Sequence, residues 1–195
     1  MKGRNLTIVA LAATLMFGCG TLAGCGETDG PRTDVVCPPT SASPVVDPAL
    51  LAFLSKAKAV HLRADVAEDD GKPAEALKVL EGLVDGPRPK GDPPAPEVRE
   101  VLADTLGRTA ELRSELKDYE AAKRDLARGL KLVPERNLFR GRLMEVTGVV
   151  EQRRHEVLRK AGDDEGAAAA KERAIEAFDE AVAIQDEVIT KTLEP

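Results

Sequence analysis

The chain has 195 residues, 43% of them hydrophobic but only 3% aromatic, with 28 Lys and Arg against 34 Asp and Glu for a formal charge of −6. That length suits one ordinary domain. The deficit of cations excludes a general nucleic-acid binder, and the hydrophobic content is too high and too evenly spaced for a disordered chain.

In chain order, the first element reads as an export signal. Lys2 and Arg4 form a basic start, and Leu6 to Phe17 is an uncharged run, apolar enough for a secretory h-region but too short for a membrane anchor of about 20 residues. The segment Leu22-Ala23-Gly24-Cys25 that follows resembles the lipobox of bacterial lipoproteins. The resemblance implies cleavage before Cys25 and acylation of its thiol, hence stable tethering, because more than one acyl chain is attached. An ordinary cleaved signal, or cleavage before Cys19 behind bulky Phe17, is the alternative. Gly26, where an Asp would mark inner-membrane retention, favours the outer membrane in a cell that has one. Cys37 would then be a lone thiol with no internal disulfide partner.

Residues 25–48 read as a lipidated Cys and tether, whose stretch Gly26 to Asp47, rich in Pro, Gly, Ser and Thr, reaches roughly 70 Å if extended and about 25 Å as a coil. Beyond Pro48 the apolar residues recur at three- and four-residue intervals, which predicts an all-α domain over 49–195. Six helices in three hairpins are expected: Ala49 to Asp69 with Ala74 to Val84, Glu97 to Leu116 with Tyr119 to Leu132, and Leu138 to Lys160 with Glu165 to Thr192.

The hairpins repeat. Ala64 and Ala76 lie 12 apart, as do Ala110 and Ala122, each pair flanking a turn at Gly71-Lys72 or Lys117-Asp118. A larger residue follows four positions after the second small one: Leu80, Leu126 and, after Ala174, Phe178. Pro134 closes the second hairpin, and the segment DYEAAKRDLARGLKLVP resembles the second half of a tetratricopeptide repeat. Small residues let paired helices approach closely. Departures exist: Arg113 stands where that family often has Tyr, and Ala76 and Ala122 are 46 apart against a period of about 34. The Pro-rich excursion Gly86 to Pro96 holds the excess and is expected to interrupt the regular superhelix.

In the third hairpin the small residues Gly148 and Ala174 are 26 apart, which lengthens each helix by about two turns. Ala167, Ala170, Ala174, Ala177, Ala181, Ile184 and Val188 then alternate three and four. This stripe predicts either a close-packed seam within a capping hairpin or a homodimer seam.

No catalytic pattern is present. His61 and His155 lack metal-ligand spacing, and there is no phosphate loop or nucleophile elbow, so neither an enzyme nor a cofactor or metal is expected. The tetratricopeptide resemblance implies instead a concave groove lined by the first helix of each hairpin, at Lys58, His61, Asp65, Glu68 and Asp69, then Asp104, Gly107, Glu111, Ser114 and Glu115. Such an acidic groove would attract a basic segment of a protein partner. The plainer reading is that these carboxylates solvate an exposed face, with Lys56, Arg63 and Arg108 nearby. Similarly, Arg140, Arg142, Arg153, Arg154, Arg159 and Lys160 against Glu172, Glu176, Asp179 and Glu180 predict salt bridges across the third hairpin in preference to a phospholipid or nucleic-acid patch. The sequence thus points to a lipid-anchored protein-binding scaffold, with a spacer or self-associating lipoprotein as the rival.

Overall fold

The computed structural model describes residues 47–193, all within the unit Pro44–Pro195. Cys19, Cys25, Cys37 and the tether up to Val46 lie outside the described residues. The six helices are α1 (Pro48–Asp69), α2 (Pro73–Val84), α3 (Pro96–Glu115), α4 (Tyr119–Leu132), α5 (Leu138–Ala161) and α6 (Asp164–Leu193). The described residues contain no strand. The all-α architecture therefore stands, with each boundary within a residue or two of the periodicity.

The helix starts follow from local chemistry. Proline opens α1, α2 and α3, where its missing N–H costs nothing. Asp47, Asp118 and Asn137 accept backbone N–H groups from Ala49, Ala121 and Arg140 at 2.8, 3.1 and 2.9 Å. The turns inside the hairpins share one closure: Lys72 N–H donates to Ala67 O, Asp118 N–H to Arg113 O, and Asp163 N–H to Leu158 O, at 2.8, 2.8 and 3.0 Å. The residue before each donor is left-handed, at φ 71° for Gly71, 65° for Lys117 and 78° for Gly162.

Ala64, Ala76, Ala110 and Ala122 are each fully buried, as their spacing requires, and Ala174 is nearly so. Leu80 and Leu126 fill the space beside them. Pro134 differs, being exposed just beyond Val133: it stops α4 and packs against little. Phe178 is half-buried, and its ring lies so close over Gly148 that a Cβ there would come within 2.5 Å of it.

The hairpins stack through the first helix of each following pair. Val98 and Leu102 of α3 close over Phe53, Ala57 and Leu83, and Leu112 closes over Ala64, Ala76 and Leu80. Leu143, Val146 and Val150 of α5 close over Ala110, Ala122 and Leu126 in the same way. Burying each such side chain stabilises the stack by about 1.5–3 kcal/mol. The excursion between α2 and α3 leaves this packing in place: α3 meets both α1 and α2, and Pro87 to Lys90 line a depression together with Phe53 and Lys56 of α1. In the third hairpin the added length is shared about equally, α5 running on beyond Gly148 and α6 beginning well before Ala174. Its stripe Ala167, Ala170, Ala174, Ala177, Ala181 and Ile184 is buried, with α5 as the helix against which α6 packs. That stripe is the seam between α5 and α6 within the hairpin.

Candidate functional site

The first helices α1, α3 and α5 lie side by side, α3 touching both of the others. Between them is a hollow of about 300 Å³ lined by His61, Glu68, Asp104, Gly107, Arg108, Glu111, Leu112, Glu115, Arg142 and Leu143. Six of the residues expected along the groove therefore meet in one place. Lys58 borders a neighbouring depression of about 250 Å³ with His61, Asp104 and Phe139.

Three of the expected positions fall elsewhere. Ser114 is buried, donating to Glu111 O at 2.6 Å and accepting from Arg153 at 2.7 Å, so it joins hairpins and offers nothing to a ligand. Asp65 is outside the hollow and bound to Arg108. Asp69, the last residue of α1, is exposed and also outside it.

The carboxylates are not a bare acidic row. Arg108 of α3 reaches back to bridge Asp65 and Glu68 of α1 and donates to His61 O at 3.3 Å. Arg153 of α5 holds Glu115 at 3.0 Å and donates to Glu111 O at 3.0 Å, while Arg142 lies 3.8 Å from Glu111. Each acidic first helix is thus tied to arginines on the next one. Asp104 makes no ion pair among the described residues.

This corrects the charge pairing expected for the third hairpin. Three arginines of α5 pair away from α6: Arg153 with Glu115 of α3, Arg154 with Glu120 of α4 at 3.4 Å, and Arg142 with Glu145 of its own helix at 2.8 Å while lying 3.8 Å from Glu111 of α3. Across α5 and α6 the sign is reversed, Glu151 accepting from Arg173 at 3.0 Å. Glu180 and Glu187 are held by Arg136, which precedes α5. Lys56 and Arg63 likewise face away from the acidic groove, lining a depression between α1 and α2.

His61 has a defined tautomer. The Thr105 hydroxyl donates to Val101 O at 2.7 Å, so at 3.0 Å it accepts from His61 Nε2–H. Burial pushes this imidazole below its ordinary value, opposed by Asp104 and Asp65 and assisted by Arg108. It is a neutral donor at pH 7. His155 donates from Nδ1 to Ala167 O at 2.8 Å and bridges α5 to α6.

Two buried carboxylates escaped the sequence reading. Asp125 accepts from Thr109 at 3.0 Å and from Arg113 Nε at 2.8 Å, and Arg113 also binds Glu81 of α2. Arg113, anomalous beside the tetratricopeptide pattern, is therefore one of the cations that join the first two hairpins. Glu151 takes Lys123 at 2.9 Å and Arg173 at 3.0 Å. Burial alone would raise its carboxyl, but the bonds and charges of Lys123 and Arg173 outweigh that and hold it below the ordinary range.

Among the described residues no group of three or more His, Cys, Asp or Glu could hold a metal ion, and no helix is long and apolar enough to cross a membrane. Comparison of the chain with protein-family models, with curated proteins and with solved structures gives no match.

Proposed function

We propose that the chain is a lipid-anchored scaffold of the tetratricopeptide kind, holding a basic segment of a partner protein along α1, α3 and α5. The observation that carries this reading is the hollow between these helices, where Asp104 has no cation of its own and His61 and Glu111 stand beside it. The common closure of the three turns and the buried alanines at the repeat positions support the family likeness. The mechanism is recognition without chemistry. An acylated Cys25 confines the protein outside the cytoplasm, to the outer membrane of a cell that has one, and confinement raises the effective concentration of a partner on the same surface. Assisting the assembly of an envelope machine is the role such an arrangement suits.

The test is cross-linking in cells followed by capture, run beside a variant with Asp104→Lys and Glu111→Lys. A dominant partner lost in the variant supports the reading, and equal capture in both contradicts it. Cys25→Ala should release the protein from membranes; persistence there would sink the anchor.

A second reading, a spacer without a binding groove, is favoured by the pairing of Asp65 and Glu68 with Arg108, and of Glu115 with Arg153. Ion pairs of this kind staple neighbouring hairpins and leave fewer charges to recognise anything.

A further inference from the structure

The two ends of the stack present the two halves of the junction that is used twice within it. The small residues Ala64, Ala110 and Gly148 set a common register for the first helices, and Ala76, Ala122 and Ala174 set one for the second helices. Two places after the small residue, α3 has Leu112 and α5 has Val150, each at most 2% exposed against the preceding hairpin. The same place on α1 is Val66, which is 62% exposed. Two places before it, Val146 of α5 is buried, whereas Leu62 of α1 is 55% exposed.

The second helices show the converse. One place after the small residue, Leu77 of α2 packs against the cluster that Leu112 of the following hairpin joins, and Lys123 of α4 pairs with Glu151 of the following hairpin. On α6 that place is Ile175, 51% exposed. Eight places after it, Leu130 of α4 packs against the cluster that Leu143 and Val146 of the following hairpin join, but Val182 of α6 is 56% exposed.

We propose that these end faces dock head to tail, α1 of one copy covering Ile175 and Val182 of a second copy as α3 and α5 cover the hairpins before them. Charge agrees with this occupant. Lys56, Arg63 and Lys78 outnumber the one carboxylate, Glu75, around the depression beside α1, which Ala59, Val60 and Val79 floor. On α6, Glu172, Asp179 and Asp186 follow the exposed stripe at intervals of seven. None of these three cations and three α6 carboxylates forms an ion pair among the described residues. A symmetric pairing of two α6 helices in antiparallel would instead set the acidic row against itself. Because the joining surfaces differ, the contact does not close on itself and extends into short chains of copies. It stands apart from the groove and from the function proposed above.

The test is sedimentation of the full chain in a mild detergent over rising concentration, up to about 1 mM, where weak self-association is still visible. One variant carries Leu62→Lys and Val66→Lys, the other Ile175→Lys and Val182→Lys, with helix content checked by circular dichroism. The wild-type mass should rise with concentration, each variant alone should stay monomeric, and an equimolar mixture should form a dimer and nothing larger. A wild-type chain that stays monomeric, as it would if another part of the chain covered α1, overturns the proposal. So does a variant that still self-associates, or a mixture that does not pair.

Discussion

Asp118 N–H donates to Arg113 O at 2.8 Å across the turn between α3 and α4, and Lys117, the residue between helix end and donor, has φ 65°. The two other hairpins make the same closure with glycine in that place. An L side chain there costs roughly 1–2 kcal/mol, partly offset in the unfolded chain. Lys117→Gly should therefore raise stability by up to about 1 kcal/mol, and Gly71→Ala or Gly162→Ala should lower it by about the same. Thermal and urea unfolding of the three variants gives the signs.

Gly148 and Phe178 should be coupled. An added Cβ at Gly148 would meet the Phe178 ring at 2.5–2.7 Å, so Gly148→Ala should be destabilising by about 1–3 kcal/mol, reduced by the helix propensity of alanine. In a Phe178→Ala background the same change should become stabilising by about 1 kcal/mol. The four proteins form a double-mutant cycle, and additivity within it would refute the contact.

The first helix start after Pro48 and the turns at Gly71-Lys72 and Lys117-Asp118 were legible in the sequence because their causes are local. The buried alanines were legible because their 12-residue spacing encodes one close approach. What sequence could not order was long-range charge. Arg153 and Arg142 were countable as cations of α5, but their partners depend on which neighbour α5 lies against, and that neighbour is α3 rather than α6 alone. Ser114 fell into the groove by register, yet Arg153 takes its hydroxyl. Arg113 was visible only as a departure from a family pattern, while its role needed Glu81 and Asp125, 32 and 12 residues away, to be in place.

Arg113 should matter more than the surface pairs. Asp125 is 7% exposed and loses its closest cation in Arg113→Met, at a cost of about 1.5–3 kcal/mol. Arg108→Ala, whose partners Asp65 and Glu68 are well solvated, should cost only about 1 kcal/mol or less for each pair. Urea midpoints of the two variants should differ in that order.

Acid should weaken the fold in two windows. His61 is held below its ordinary value, so the unfolded chain binds a proton first: stability is full above about pH 6.5 and falls as pH drops from there toward the folded value. Glu151 is also depressed, so its contribution is full above about pH 4.3 and is lost as pH falls through its lower folded value. His61→Gln should remove the first window and Glu151→Gln the second. Unfolding free energies between pH 7 and pH 3 would show both, and an unchanged profile in either variant would refute that assignment.

Binding along α1, α3 and α5 is tested most directly by placing a photo-crosslinking amino acid at Lys58 or at Asp104, and at Ala127 on the exposed side of α4, in the otherwise intact protein. Illumination in cells should give one protein adduct from positions 58 and 104, weakened in high salt, and none from 127. Adducts of equal yield from all three positions, or none from 58 and 104, would contradict a binding groove and leave the paired carboxylates as staples of a spacer.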